Sequence, residues 1–314
     1  MSVETITILD GGMGRELLRI GAPFRQPEWS ALALLESPGH VREVHDAFLA
    51  AGADVITTNS YAVVPFHIGE ERFAARGTEL ADLAGRLGRE AVTAAGRPGA
   101  KLAGSLPPVF GSYRPDLFRP EEAARLFGPL VAGLAPHVDL WLAETQGSIT
   151  EARAARRAIG PDDPRPFWVS FTLDDSHPED VEAGTRPAQV RSGETITAAA
   201  NAALELGASA LLFNCSHAGV MEAAIREANA VFAALPAETR PAIGVYANAF
   251  APHSHDHEPQ ANAALSDLRH DLDPPAYLAF ARRWHDAGAS IIGGCCGIGP
   301  AYIAALSSAL RAPS

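Results

Sequence analysis

Leu206-Gly207-Ala208-Ser209-Ala210-Leu211-Leu212-Phe213-Asn214-Cys215 contains the end of a helical pattern, a glycine stop, a short apolar run and a reactive group. Glycine just past a helix end can adopt the left-handed conformation that terminates it. An apolar run bounded by such a stop reads as a buried strand. The same junction recurs at Ala51-Gly52-Ala53-Asp54 and at Ala287-Gly288-Ala289-Ser290. Outward from these, strands are expected at residues 5–9, 54–58, 101–104, 139–143, 167–171, 210–214, 242–246 and 290–294. Stretches rich in Ala, Leu, Glu and Arg predict helices at 41–51, 72–95, 121–134, 195–206, 219–235 and 276–287. Strands alternating with helices imply parallel βαβ units. Eight of them without a linker or composition break predict an α/β fold, a single (β/α)8 TIM barrel formed by one domain over residues 1–314. A doubly wound sheet is the alternative.

The chain has 314 residues and a formal net charge of −12. Binding phosphates requires clustered Lys and Arg, so nucleic acid is not an expected partner. The acidic balance does not oppose a cationic small molecule. Met1-Ser2-Val3-Glu4-Thr5 lacks the positive n-region of a secretion signal. No apolar run approaches the ~18 residues of a membrane helix. Three cysteines, two of them adjacent, make a poor disulfide framework. The expectation is a cytoplasmic protein with free thiols and no membrane partner, as a monomer or small homo-oligomer.

On a barrel, chemistry gathers at the C-terminal ends of the strands. The residues there are Asp10-Gly11-Gly12-Met13-Gly14, Asn59-Ser60-Tyr61, Ser105, Glu144-Thr145-Gln146, Cys215, Tyr246-Ala247-Asn248 and Cys295-Cys296. Carboxylates, amides and thiols thus converge on one rim. Cys215, Cys295 and Cys296 suit a Zn2+ site with three thiolates and one position open, as catalytic zinc requires. Adjacent strand residues normally face opposite ways. Cys295 and Cys296 can therefore share an ion only if the chain turns sharply, and Gly293, Gly294, Gly297 and Gly299 supply that freedom. The bland alternative is a buried Cys215 beside a redox-active or incidental dithiol.

Asp10 leads a glycine-rich turn, but the dinucleotide spacing is absent. A binding group for an ammonium fits it better, against the alternative of a helix N-cap. Glu144 closes an apolar strand, where a carboxylate is costly unless paired or facing a polar mouth. Trp29, Tyr61, Phe66 and Phe110 lie in or beside loops of the same face, and aromatic faces attract onium cations. Tyr61, just past the second strand, is the best single candidate. Two long polar loops complete this face, 173–194 and 251–273. The second carries His253, His255, His257 and His270, read as a solvated segment because histidines in a flexible loop hold no fixed geometry.

With these residues in view, the chain resembles the homocysteine S-methyltransferase family. The match runs through Asp10-Gly11-Gly12-Met13-Gly14, Pro27-Glu28-Trp29-Ser30, Thr58-Asn59-Ser60-Tyr61, Glu144-Thr145 and Asn214-Cys215 to Gly293-Gly294-Cys295-Cys296-Gly297. The resemblance implies a zinc-dependent barrel that methylates homocysteine to methionine. It implies Cys215, Cys295 and Cys296 as zinc ligands, Asp10 and Glu144 on the homocysteine ammonium, and Gly11 backbone near the amino acid. Trp29, Asn59 and Tyr61 become donor-pocket candidates.

Among the family's donors, cobalamin and betaine routes go with longer chains, so a sulfonium is expected: S-methylmethionine, or S-adenosylmethionine. Segments 105–110 and 245–250 depart from the family pattern, which leaves a betaine-type or other onium donor open. A different thiol or selenol acceptor, a non-catalytic zinc or thiol-redox barrel, and a phosphate-binding barrel are the remaining alternatives.

Overall fold

The computed structural model describes residues 6–250 and 267–311. Its strands are β1 (Thr7–Ile8), β2 (Val55–Thr57), β3 (Lys101–Leu106), β4 (Leu140–Gln146), β5 (Phe167–Phe171), β6 (Ala210–Asn214), β7 (Ala242–Tyr246) and β8 (Ile291–Ile292). All pair in parallel, in the order β1-β8-β7-β6-β5-β4-β3-β2. A parallel bridge between Leu9 and Val55, with Asp10 N donating to Val55 O at 3.0 Å, joins the ends of that order. The sheet is a closed (β/α)8 barrel, and the doubly wound alternative is excluded.

Side-chain alternation along each strand separates two apolar layers. Leu140, Leu142, Ala210, Leu212 and Ile291 fill the barrel interior, while Trp141, Ala143, Leu211, Phe213 and Ile292 pack under the helices. The six expected helices are present, for example Glu70–Ala95 and Ile196–Glu205. Among the described residues six more were not expected: Met13–Arg19, Ser30–Glu36, Pro65–Ile68, Ile149–Ile159, Pro178–Glu182 and Pro300–Leu310. Ile149–Ile159 did carry a signal, because Ser148 caps it by accepting from Glu151 N, the S-x-x-E pattern of a capping box.

β3 and β4 extend past their expected ends at 104 and 143. Ser105 and Glu144 are therefore strand residues rather than loop residues. The polar stretch 173–194 is also more ordered than a simple loop. Leu173 bridges Val190 antiparallel, and Arg191 pairs with Asp175 at 2.7 Å. Among the described residues no helix is long and apolar enough to cross a membrane. His253, His255 and His257 lie outside the described residues.

Candidate active site

Strand parity brings the polar groups together. Glu144 continues the inward series Leu140, Leu142, and Asn214 continues Ala210, Leu212. Both therefore point into the barrel mouth beyond its last apolar layer. There a cavity of about 110 Å³ is lined by Asp10, Gly11, Trp29, Asn59, Tyr61, Glu144, Cys215, Cys295 and Cys296. These are all nine of the site residues expected from the sequence. Phe66 and Phe110, expected on the same face, are not among its lining residues. Phe110 instead packs edge-on against Phe118 at 5.6 Å and under the Arg119 guanidinium at 4.9 Å.

The cysteines converge through two distinct backbone devices. Cys215 has a φ of 50°, which swings its side chain out of the strand series and toward the mouth. After β8, Ile298 N donates to Cys295 O at 3.0 Å and Gly297 has a φ of 85°. That is the tight turn whose third residue needs positive φ, so glycine belongs there. Gly293, Gly294 and Gly299 do not supply the turning freedom expected of them. Gly294 is required by contact instead, since a Cβ there would lie 2.1 Å from Ile298 Cγ2.

The three sulfurs lie within 4.8 Å of one another. A tetrahedral thiolate site with metal–sulfur bonds of ~2.3 Å needs sulfurs about 3.8 Å apart, so the cluster fits one ion after small side-chain shifts. The expectation of three free thiols needs correction. Cys215 and Cys295 are joined in a disulfide across a Cα–Cα distance of 5.6 Å, and Cys296 is free. Two thiols packed side by side by tertiary structure can oxidise whatever their spacing in sequence. Burial pushes the Cys296 thiol up to about 11. A cation is what would make such a half-buried thiol ionise.

Two carboxyls face this cluster. Asp10 is not a helix cap; it accepts from Thr57 N at 2.7 Å and Thr57 Oγ1 at 3.1 Å. Glu144 accepts from Ser105 Oγ and, at 3.4 Å, from the Tyr246 hydroxyl. Burial pushes Glu144 up to about 7. Burial first, and then the nearby Glu144 carboxyl, push Asp10 up to about 8 against its Thr57 hydrogen bonds. Among the described residues no basic side chain lines the cavity, so a cationic ligand is the natural partner of this pair.

These shifts have a sign. Unfolded, the two carboxyls ionise near pH 4. Folded, they retain protons to about 8 and about 7. The folded protein holds more protons in between and loses stability as pH rises through that range. Buried His45 and His67, lowered to about 3 and about 4, act oppositely below the ordinary histidine pKa of ~6.5. Between about pH 6.5 and 8.5, then, the Tm of metal-free, ligand-free protein should fall, and less steeply in Asp10→Asn. Equal slopes for the two proteins would refute the assignment.

Trp29, Asn59 and Tyr61 form one wall of the cavity. The Tyr61 hydroxyl bonds Ser112 Oγ at 2.7 Å, and Asn59 Nδ2 donates to Ser30 O at 3.1 Å. Sequence reasoning missed Ser112 and Tyr113, which also line it. Tyr113 has a φ of 62°, and no local pattern marks a tyrosine for that conformation. Phe250, part of the 245–250 departure, lines the cavity as well.

A family model described as homocysteine S-methyltransferase matches residues 7–310. The chain is 31% identical to the homocysteine S-methyltransferase of Escherichia coli (strain K12), covering 97% of this chain and 95% of that one. It also resembles the crystal structure of the E. coli homocysteine methyltransferase MmuM described as its metallated form, with a TM-score of 0.74, 27% identity and 96% of each chain covered. The structure of MmuM described as its oxidised form matches with the same score and identity, covering 96% of this chain and 95% of that one.

Proposed function

This chain belongs to the homocysteine S-methyltransferase family, and from that premise we propose that it methylates L-homocysteine, using a sulfonium donor. S-methylmethionine is the donor we assign first; S-adenosylmethionine and betaine-type onium compounds are the alternatives. The reading treats residues 1–314 as one homocysteine-binding domain. What carries it is the convergence of three cysteine sulfurs and two buried carboxyls in one small cavity.

In the proposed reaction the homocysteine sulfur gains a bond to the donor methyl as the donor's S–CH3 bond breaks. The sulfonium becomes a neutral thioether, and the thiol proton leaves to solvent. S-methylmethionine and homocysteine thereby give two methionines. A zinc ion held by Cys215, Cys295 and Cys296 would supply the positive charge that makes the acceptor thiol a thiolate near neutral pH.

Asp10 and Glu144 would hold the acceptor ammonium, which orients its sulfur toward the cysteines. The Gly11 backbone would abut the amino-acid end. Trp29 and Tyr61 would offer aromatic faces to the donor cation, with Asn59 beside them. Holding the reactants close and aligned would supply a further share of the acceleration, and no general base is needed at the methyl carbon.

A donor panel with homocysteine as acceptor tests the proposal. Methionine should form fastest from S-methylmethionine, and no methionine from any onium donor would sink it. Chelation in air gives a second test. Activity should be lost and should return only with reductant plus zinc, because the Cys215–Cys295 disulfide must open before metal can bind. Full activity in stripped protein would overturn the metal assignment.

A further inference from the structure

Thr145 and Asn214 are fully buried, and each adjoins a residue already assigned a role, Glu144 and Cys215. The Asn214 side chain spans three strand ends. Its Oδ1 accepts from Thr145 N at 2.9 Å and from Ser170 Oγ at 2.7 Å, and its Nδ2 donates to Thr145 Oγ1 at 2.8 Å. A backbone N–H can only donate, so the orientation of this amide is fixed. Thr145 in turn holds a φ of 57°, a conformation that a β-branched residue avoids unless its surroundings impose it.

The Thr145 side chain also lies close to the Tyr61 hydroxyl, and both residues line the cavity. Asn214 Nδ2 donates to Thr145 Oγ1, so the threonine proton is not used toward Asn214, and the Tyr61 hydroxyl is held by Ser112 Oγ at 2.7 Å. A row of polar groups therefore runs from the residue before Cys215, through hydrogen bonds to the residue after Glu144, and on to the aromatic wall that Thr145 adjoins.

We propose that Thr145 and Asn214 are a positioning pair that keeps the donor wall in register with the acceptor-sulfur position. The proposal rests on the methyl-transfer reading above. The pair touches neither reactant's bonds; it fixes their separation and angle. Glu144 has its own partners in Ser105 and Tyr246, so losing the threonine hydroxyl leaves the ammonium site in place.

Thr145→Val is the informative variant, because it keeps the branching and volume and removes only the hydroxyl. A misplacement of ~1 Å costs ~100-fold in such reactions. In metal-loaded protein, single-turnover methyl transfer from S-methylmethionine to homocysteine should fall about 30-fold. Bound metal per chain should stay at the wild-type value, and homocysteine affinity by calorimetry should change less than about threefold. Thr145→Ser should recover most of the rate. In a double-mutant cycle, Asn214→Ala with Thr145→Val should be little worse than Asn214→Ala alone.

A rate loss that tracks lost metal or lost homocysteine binding would reduce the pair to a structural role and overturn the proposal. So would an unchanged rate in Thr145→Val. A wild-type protein that makes no methionine from any onium donor would overturn the reaction itself and the alignment role with it, and the wild-type assay separates that failure from the others.

Discussion

Replacing Cys296 with serine should lower methyl transfer to homocysteine at pH 7 by at least about 10³-fold and abolish metal retention. The size follows from ionisation. A free thiol is only a few per cent thiolate at neutral pH. Burial in this cavity makes matters worse, as the Cys296 thiol itself shows by rising to about 11. At pH 7 a thiol of that pKa is ionised about once in 10⁴ molecules. An acceptor thiol in the same surroundings, without a cation, would fare similarly. Serine nearly matches cysteine in volume and leaves the Cys215–Cys295 pair untouched, so packing changes little. Metal per chain and methionine formation, measured under reducing conditions, check the prediction. Residual activity above about a tenth of wild type would remove the cysteine cluster from the mechanism.

Neutralising Glu144 is expected to produce the next largest effect. Glu144→Gln keeps the shape and can still meet Ser105 and Tyr246, but it cannot balance an ammonium in a buried cavity. Breaking a buried charge pair costs ~3 kcal/mol or more, which corresponds to roughly 100-fold in kcat/KM for homocysteine. Donor KM should move little. A mercaptan acceptor lacking the amine separates this cause from general damage, because wild type and variant should methylate it at similar rates. If the variant is equally impaired with both acceptors, Glu144 does not read the ammonium.

Much of the barrel was legible because its signals are local. Glycine stops before apolar runs recur in the chain, and β5, β6 and β7 occupy the residues expected of them. The shortest strands and helices were read poorly. β8 has two residues, too few for any periodicity, and Met13–Arg19 and Ser30–Glu36 are seven-residue helices stabilised by the cavity wall they build. The chemical groups at the rim were legible for a different reason: thiols and carboxylates at the ends of apolar strands are costly to bury without a purpose.

Their partners were not legible. Nothing near Asp10 in the chain points to Thr57, 47 residues away. Nor does anything near Asn214 point to Thr145, 69 residues away. By itself the chain determined which chemistry would be present and on which end of the barrel, since strand period and strand order are written into neighbouring residues. Only the closed barrel decided which groups meet. Closure and register set the distance across the mouth, and left-handed backbone at Thr145 and Cys215 set the directions. Such conformations persist only where surrounding contacts hold them, so they exist as properties of the fold and not of the segment.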